Sequence, residues 1–261
     1  MKKFIVFLSF LIMLSPISGF CQPREINILT DQGYWYPFSF AEEGQAKGLY
    51  IDMIEKAVMN LGYKPKFYPK PWKRCLSDAK NGKYDAIVGA SYKLERAEYL
   101  IYPDDAKTAK NSLWRITQVE YVAITHSNSS YTFDGDVKSL PQPIRAPLGY
   151  SIVDDLKKAG VSVLEAPDIV DLALQLVKSG RGCFIAPPQN ATGIMYDERF
   201  KGKFKIHPKP IKSKSYFMPF AIKNQKFNKE EILAIWNEIV RMREDQDYMK
   251  TLYDKYKGQN K

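Results

Sequence analysis

The sequence has one apolar run and no second of comparable length. Phe4 to Leu14 is hydrophobic, preceded by Lys2 and Lys3 and followed by Ser/Pro/Gly in "MKKFIVFLSFLIMLSPISGFCQ". That run is too short to cross about 30 Å of hydrocarbon, and its flanks are those of a secretory leader. Residues 1–22 are therefore expected to form a signal peptide cleaved near Cys21 or Gln22. Cys21 is alternatively a lipidation site, although Phe20 is bulky where a small residue is wanted. The rest of the chain has no stretch approaching the roughly 18 apolar residues that a membrane helix needs. A chain released into a bacterial periplasm fits this pattern, with about 240 residues left for one large or two small domains.

Histidine, cysteine and acidic residues are also in short supply. His126 and His207 are the only histidines. Neither has a ligand-spaced neighbour, so no metal site and no cofactor are expected. Beyond the leader only Cys75 and Cys183 remain, in a compartment where a pair bridges if its Cα atoms come within about 7 Å. Spacing does not supply that distance, so a Cys75–Cys183 disulfide stays open. Lys and Arg number 39 against 29 Asp and Glu, and removing Lys2 and Lys3 lowers the surplus from +10 to +8. The basic residues are spread over "KPKFYPKPWKR", "KGKFKIHPKPIKSK" and the last helix. This is the pattern of a solvated surface, and nucleic acid is not an expected partner. There is no Gly-rich phosphate loop either.

What the chain does have is ring surface and α/β alternation. "YWYPFSF", residues 34–40, carries five aromatics directly after the strand candidate "REINILT". "GLYIDMIEKAVMNLG" spaces Leu49, Ile51, Ile54, Ala57, Val58 and Leu61 as a helix closed by Gly62. "KPKFYP" reads as a second strand, "WKRCLSDAKNG" as a short helix, and "YDAIVGAS" as a third strand, a series that implies right-handed βαβ units. "SLWRITQVEYVAIT" then reads as extended chain leading into a second α/β block: strands "PIRAPLG", "VSVLEA" and "GCFIAPP", with helices "YSIVDDLKKAG" and "DIVDLALQLVKSG". Extended chain recurs at "KSYFMPFAIK". Asn228 and Glu231 then stand at capping-box spacing before a pair of helices. Two blocks joined by two extended crossings imply a hinged, two-lobed body with a ligand cleft between the lobes.

Four pieces carry a resemblance: "YWYPFSF…EEGQAKGLYIDMIEKAVMNLG", "PWKRCLSDAKNGKYDAIVGASYKLERAEYLIYP", "PLGYSI" and "FAIKNQ". In this order they resemble the polar amino acid-binding family of periplasmic solute-binding proteins, the soluble receptors of ABC importers. The resemblance implies an α/β two-lobed fold of type II, with two parallel or mixed sheets flanked by helices. It implies lobe 1 from residues 23–112 with 215–261, and lobe 2 from 113–214. The expected partners are a small-molecule ligand and an ABC-type membrane permease, with the protein itself a monomer.

By position in the family's motifs, Trp35 stacks on the ligand with Tyr34 and Tyr36 beside it, and Trp72 forms the facing wall. Facing rings exclude water and grip aliphatic stems or cations. Phe38 and Phe40 are expected to point into the core. Arg96 in "GASYKLER" falls where the family places its carboxylate anchor, after contacts at Gly89 and Ser91, and Arg74 is a further anion candidate. Ser151 matches the second-lobe contact at a helix N-terminus. The sequence departs from the pattern where relatives that bind α-amino acids carry a second-lobe acid. Cys183 replaces the strand aspartate, Pro188 or Gln189 stands at the ligand acid, and Lys93 replaces a small hydroxyl residue. That leaves a carboxylate without a paired amine, or an amine held by Asp31 and the rings. A periplasmic dehydratase of the same fold and a ligand-sensing module are the alternatives. The adjacent pairs Asp104/Asp105 and Asp154/Asp155 read as solvated surface rather than as acid/base machinery.

Overall fold

The computed structural model describes residues 23–257, so the expected leader at 1–22 lies outside the described residues. The first block runs β1 (Glu25–Asp31), β2 (Phe40–Glu42), β3 (Gln45–Lys47), α1 (Leu49–Asn60), β4 (Lys64–Lys70), α2 (Trp72–Lys80), β5 (Ala86–Ile87), β6 (Ala90–Ser91), α3 (Leu94–Ala97) and β7 (Leu100–Ile101). The second runs β8 (Thr117–His126), β9 (Ile144–Pro147), α4 (Ser151–Lys158), β10 (Val163–Ala166), α5 (Ile169–Ser179), β11 (Cys183–Ala186), α6 (Pro188–Ile194), β12 (Phe204–Ile206) and β13 (Lys212–Phe217). The chain ends with β14 (Phe220–Ala221), α7 (Lys229–Glu244) and α8 (Gln246–Tyr256).

Two sheets result. One has the order β4-β1-β5-β14-β7, with β1 parallel to β4 and β5 and with β14 antiparallel to its neighbours. The other has the order β10-β9-β11-β8-β13-β6, with β9 parallel to β10 and β11, and with β8 and β13 antiparallel. The chain crosses from the first sheet to the second before β8 and returns through β13, as the extended segments implied. Of the α1 face expected from the sequence, Leu49, Ile51, Ile54, Ala57 and Val58 are buried while Leu61, one residue past the helix, is exposed, and Gly62 follows at φ 80° with its N–H on the Met59 carbonyl at 2.9 Å. The capping box at Asn228 and Glu231 starts α7, and Ile232, Ile235, Trp236 and Ile239 from it join the α1 core. Side chains of this size contribute about 1.5–3 kcal/mol each on burial, which seats the C-terminal helices on the first block.

The structure departs from the sequence reading at "YDAIVGAS". Gly89 takes φ 81°, a left-handed conformation that L side chains adopt at a cost, and the expected third strand breaks into β5 and β6. β5 joins the first sheet, while β6 pairs with β13 at the edge of the second. The open disulfide question is also answered. Cys75 and Cys183 are free thiols, buried in separate hydrophobic clusters, one beside Leu29 and Trp72 and the other beside Ile144 and Ile185.

Candidate functional site

The carboxyl end of β1, the aromatic turn after it, the loop around β6 and the start of α4 converge on a chamber of about 50 Å³. Asp31, Trp35, Trp72, Gly89, Ser91 and Arg96 line it from the first block, Tyr150 and Ser151 face them from the second, and Tyr216 on the returning strand β13 completes the wall. Position follows from local structure. Asp31 is the last residue of β1, Trp72 the first of α2, and Ser151 the first of α4. The turn at Gly89 delivers Ser91, and the short helix α3 that follows carries Arg96.

Arg96 is 2% exposed, and its guanidinium lies 5.4 Å from the Trp72 ring. Nη1 donates to the Ser91 carbonyl at 3.0 Å and to Ser91 Oγ at 3.3 Å, and Nη2 donates to the Gly149 carbonyl at 3.1 Å. All three acceptors are neutral oxygens. The acids on α4 are taken, Asp154 by Lys93 and Asp155 by Lys214, and no carboxylate pairs with Arg96 among the described residues. A buried charge without a partner costs several kcal/mol, so the site is poised for an anion. The Trp35 indole N–H is likewise buried without a hydrogen-bond partner.

Bonds between the two blocks close the chamber. Ser91 Oγ donates to Ser151 Oγ at 2.8 Å, and Trp72 Nε1 donates to the Gly149 carbonyl at 3.2 Å. The Tyr150 hydroxyl donates to Asp31 Oδ2 at 2.9 Å, while Asp31 Oδ1 accepts from the Gly33 N–H at 3.0 Å. Burial pushes the Asp31 pKa up against both donations. Burial also holds the Tyr150 phenol well above its ordinary value, so it stays a donor. Lys214 donates to Ser151 Oγ at 3.0 Å, and burial lowers its pKa.

The structure therefore brings Trp35, Trp72, Gly89, Ser91, Arg96 and Ser151 to one place, and three other expected residues lie elsewhere. Tyr34 is 38% exposed and faces a separate surface cavity with Gly193 and Tyr196, stacked on Tyr36 with ring centres 5.8 Å apart. Arg74 is spent on Asp78, Nε to Oδ2 3.1 Å, and points outward because the next turn of α2 offers a buried carboxylate. Gln189 sits in the first turn of α6 and does not line the chamber; the adjacent Asn190 donates to the Tyr34 carbonyl at 2.9 Å. Tyr36 and Phe40 are core, and Phe38 packs partly buried against the same cluster. Lys93 bridges to Asp154, which accounts for a lysine where a small hydroxyl was expected. Sequence reading missed Tyr50, Tyr150 and Tyr216 as lining residues. "GYS" was visible, but only its serine was weighed. The two histidines are structural or peripheral: His207 is buried against Thr125 Oγ1 at 3.0 Å, and no cluster able to hold a metal occurs among the described residues.

The family profile of the bacterial extracellular solute-binding proteins, family 3, matches residues 26–259. The chain belongs to this family. No curated protein matches this solute-binding chain by sequence. Among solved structures, a histidine kinase sensor domain with similarity to periplasmic binding proteins superposes with a TM-score of 0.74 at 16% identity, covering 91% of this chain and 97% of that one. The substrate-binding protein of an amino acid ABC transporter gives 0.66 at 19%, covering 89% and 98%. An ancestral amino acid-binding protein described as a precursor of cyclohexadienyl dehydratase gives 0.66 at 18%, covering 89% and 95%. At such identities these likenesses show the fold, which is the two-lobed type II periplasmic binding fold expected from the sequence. Among the described residues no helix is long and apolar enough to cross a membrane.

Proposed function

We propose that this solute-binding protein works in the periplasm. It captures a small carboxylate-bearing metabolite, an amino acid or a related acid, between lobes formed by residues 23–112 with 215–261 and by 113–214. It then delivers that ligand to an ABC-type permease. The observation that carries this reading is the buried Arg96 guanidinium, which has only neutral acceptors and lines, together with Trp35 and Trp72, a chamber closed by both blocks. A carboxylate there receives charge-assisted hydrogen bonds and relieves the uncompensated cation. The ligand contacts both lobes, so it favours the closed state, and a permease recognises closure.

Calorimetry of the exported chain, unfolded and refolded to strip bound ligand, against short carboxylates and amino acids tests this. Binding by at least one member, accompanied by a higher melting temperature, is expected. No binding at millimolar concentration by any member rejects the proposal. Consumption of a member, followed by NMR, replaces it with the dehydratase alternative.

A further inference from the structure

We propose that Tyr150 makes the chamber selective for a short monocarboxylate that carries no ammonium group. This inference rests on the solute-binding reading above and names the ligand class of the same site. Three observations support it. The first is size: the chamber, about 50 Å³, holds about three to five non-hydrogen atoms at the roughly 10–15 Å³ that one water-sized group needs. The second is charge. Among the described residues Arg96 and Asp31 are the only basic and acidic side chains on the chamber wall, and the second lobe sends no carboxylate into it. A zwitterion therefore has Asp31 as its one carboxylate partner on that wall.

The third observation is that each Asp31 oxygen already accepts one hydrogen bond. Its Oδ1 accepts from the Gly33 N–H at 3.0 Å, and its Oδ2 accepts from the Tyr150 hydroxyl at 2.9 Å. An ammonium would have to share Oδ2 with this phenol and use the oxygen's remaining lone pair. Burial, which raises the Asp31 pKa, further favours the neutral acid, and a neutral acid does not balance an ammonium ion. The Tyr150 ring, packed at 6.3 Å from Trp72, also takes up the volume that a longer ligand needs. Acetate, propanoate and glycolate meet both limits. Glycine and alanine are of similar size and fail on charge, whereas arginine and glutamate fail on size.

The test compares calorimetric affinities of refolded wild-type protein for acetate, propanoate and glycolate with those for glycine, alanine, glutamate and arginine. It adds Tyr150→Phe, alone and combined with Asp31→Asn. The wild type is expected to prefer the short acids by at least about tenfold, the worth of one charge-assisted hydrogen bond. Tyr150→Phe, which frees Asp31 Oδ2 at nearly constant shape, is expected to shift the ratio toward glycine and alanine by a similar factor. Asp31→Asn combined with Tyr150→Phe is expected to cancel that shift, since the ammonium then has no carboxylate to reach. Arg96-dependent binding of any amino acid as tight as that of the short acids overturns the selectivity while leaving the solute-binding reading intact. An unchanged ratio in Tyr150→Phe also overturns it. No binding of either series overturns both.

Discussion

Replacing Arg96 with methionine separates a ligand anchor from a structural strut, because the two roles predict opposite patterns. The guanidinium donates to the carbonyls of Ser91 and Gly149. Each carbonyl has a second donor, Tyr102 O–H at 3.0 Å for Ser91 and Trp72 Nε1 at 3.2 Å for Gly149, so neither acceptor is orphaned by the substitution. The methionine also removes a buried cation that no carboxylate balances. Loss of hydrogen bonds and relief of desolvation therefore oppose one another, and the net change in stability is expected within about 1 kcal/mol. For a chain of this size that moves Tm by about 2–4 °C. Ligand binding responds differently. Two charge-assisted hydrogen bonds at about 1.5–3 kcal/mol each are worth about 3–6 kcal/mol, a loss of roughly 10²- to 10⁴-fold in affinity. Differential scanning calorimetry without ligand and titration calorimetry with the short acids and amino acids give the two numbers. A fall in Tm beyond about 8 °C together with affinity within threefold of wild type refutes the reasoning, since that is how a strut behaves.

Other expectations follow from the same contacts. Asp78 is buried at the end of α2, and bonds from Lys70 and Arg74, with Lys83 nearby, hold its pKa down to about 2. Its stabilising effect is therefore present above pH 4 and lost as pH falls from about 4 to 2. Asp78→Asn should remove about 1–2 kcal/mol at neutral pH, and the difference from wild type should vanish near pH 2; a constant difference across that range contradicts the assignment. Cys75 and Cys183 are free, and burial pushes the Cys183 thiol up to about 12. Protein lacking residues 1–22 should react slowly with a thiol reagent when native and yield two thiols per chain when unfolded without reductant. A yield of none would show a bridge. Gly89→Ala meets no close atom, its nearest neighbour being the Tyr216 ring at 3.9 Å, so its cost is backbone strain alone at φ 81°. Equilibrium unfolding should report a loss of about 1–2 kcal/mol, and no loss would mean that the turn relaxes.

Much of the fold was legible because local signals agreed. The spacing in α1, the glycine that ends it and the capping box of α7 each dictate one local conformation, and the strand and helix alternation leaves few topologies. Gly89 was legible as a contact position but not as the break that sends Ala86–Ile87 and Ala90–Ser91 to different sheets, because strand membership depends on which edge is free in three dimensions. Arg96, Trp35 and Trp72 were legible through their motifs. Tyr150 and Tyr216 were not, because an aromatic at the end of a strand or beside a helix start has the same pattern whether it fills a core or lines a chamber. Arg74 was misplaced for a related reason: spacing shows that it is basic and near the cleft, but the buried Asp78 one turn along its own helix decides where its side chain goes.

A crystal structure of the protein with the tightest-binding short carboxylate tests the central claim most directly. The account predicts the carboxylate inside the chamber, both oxygens within hydrogen-bond distance of Arg96, with Trp35 and Trp72 on either side. A ligand bound elsewhere, with Arg96 still on the carbonyls of Ser91 and Gly149, would contradict it.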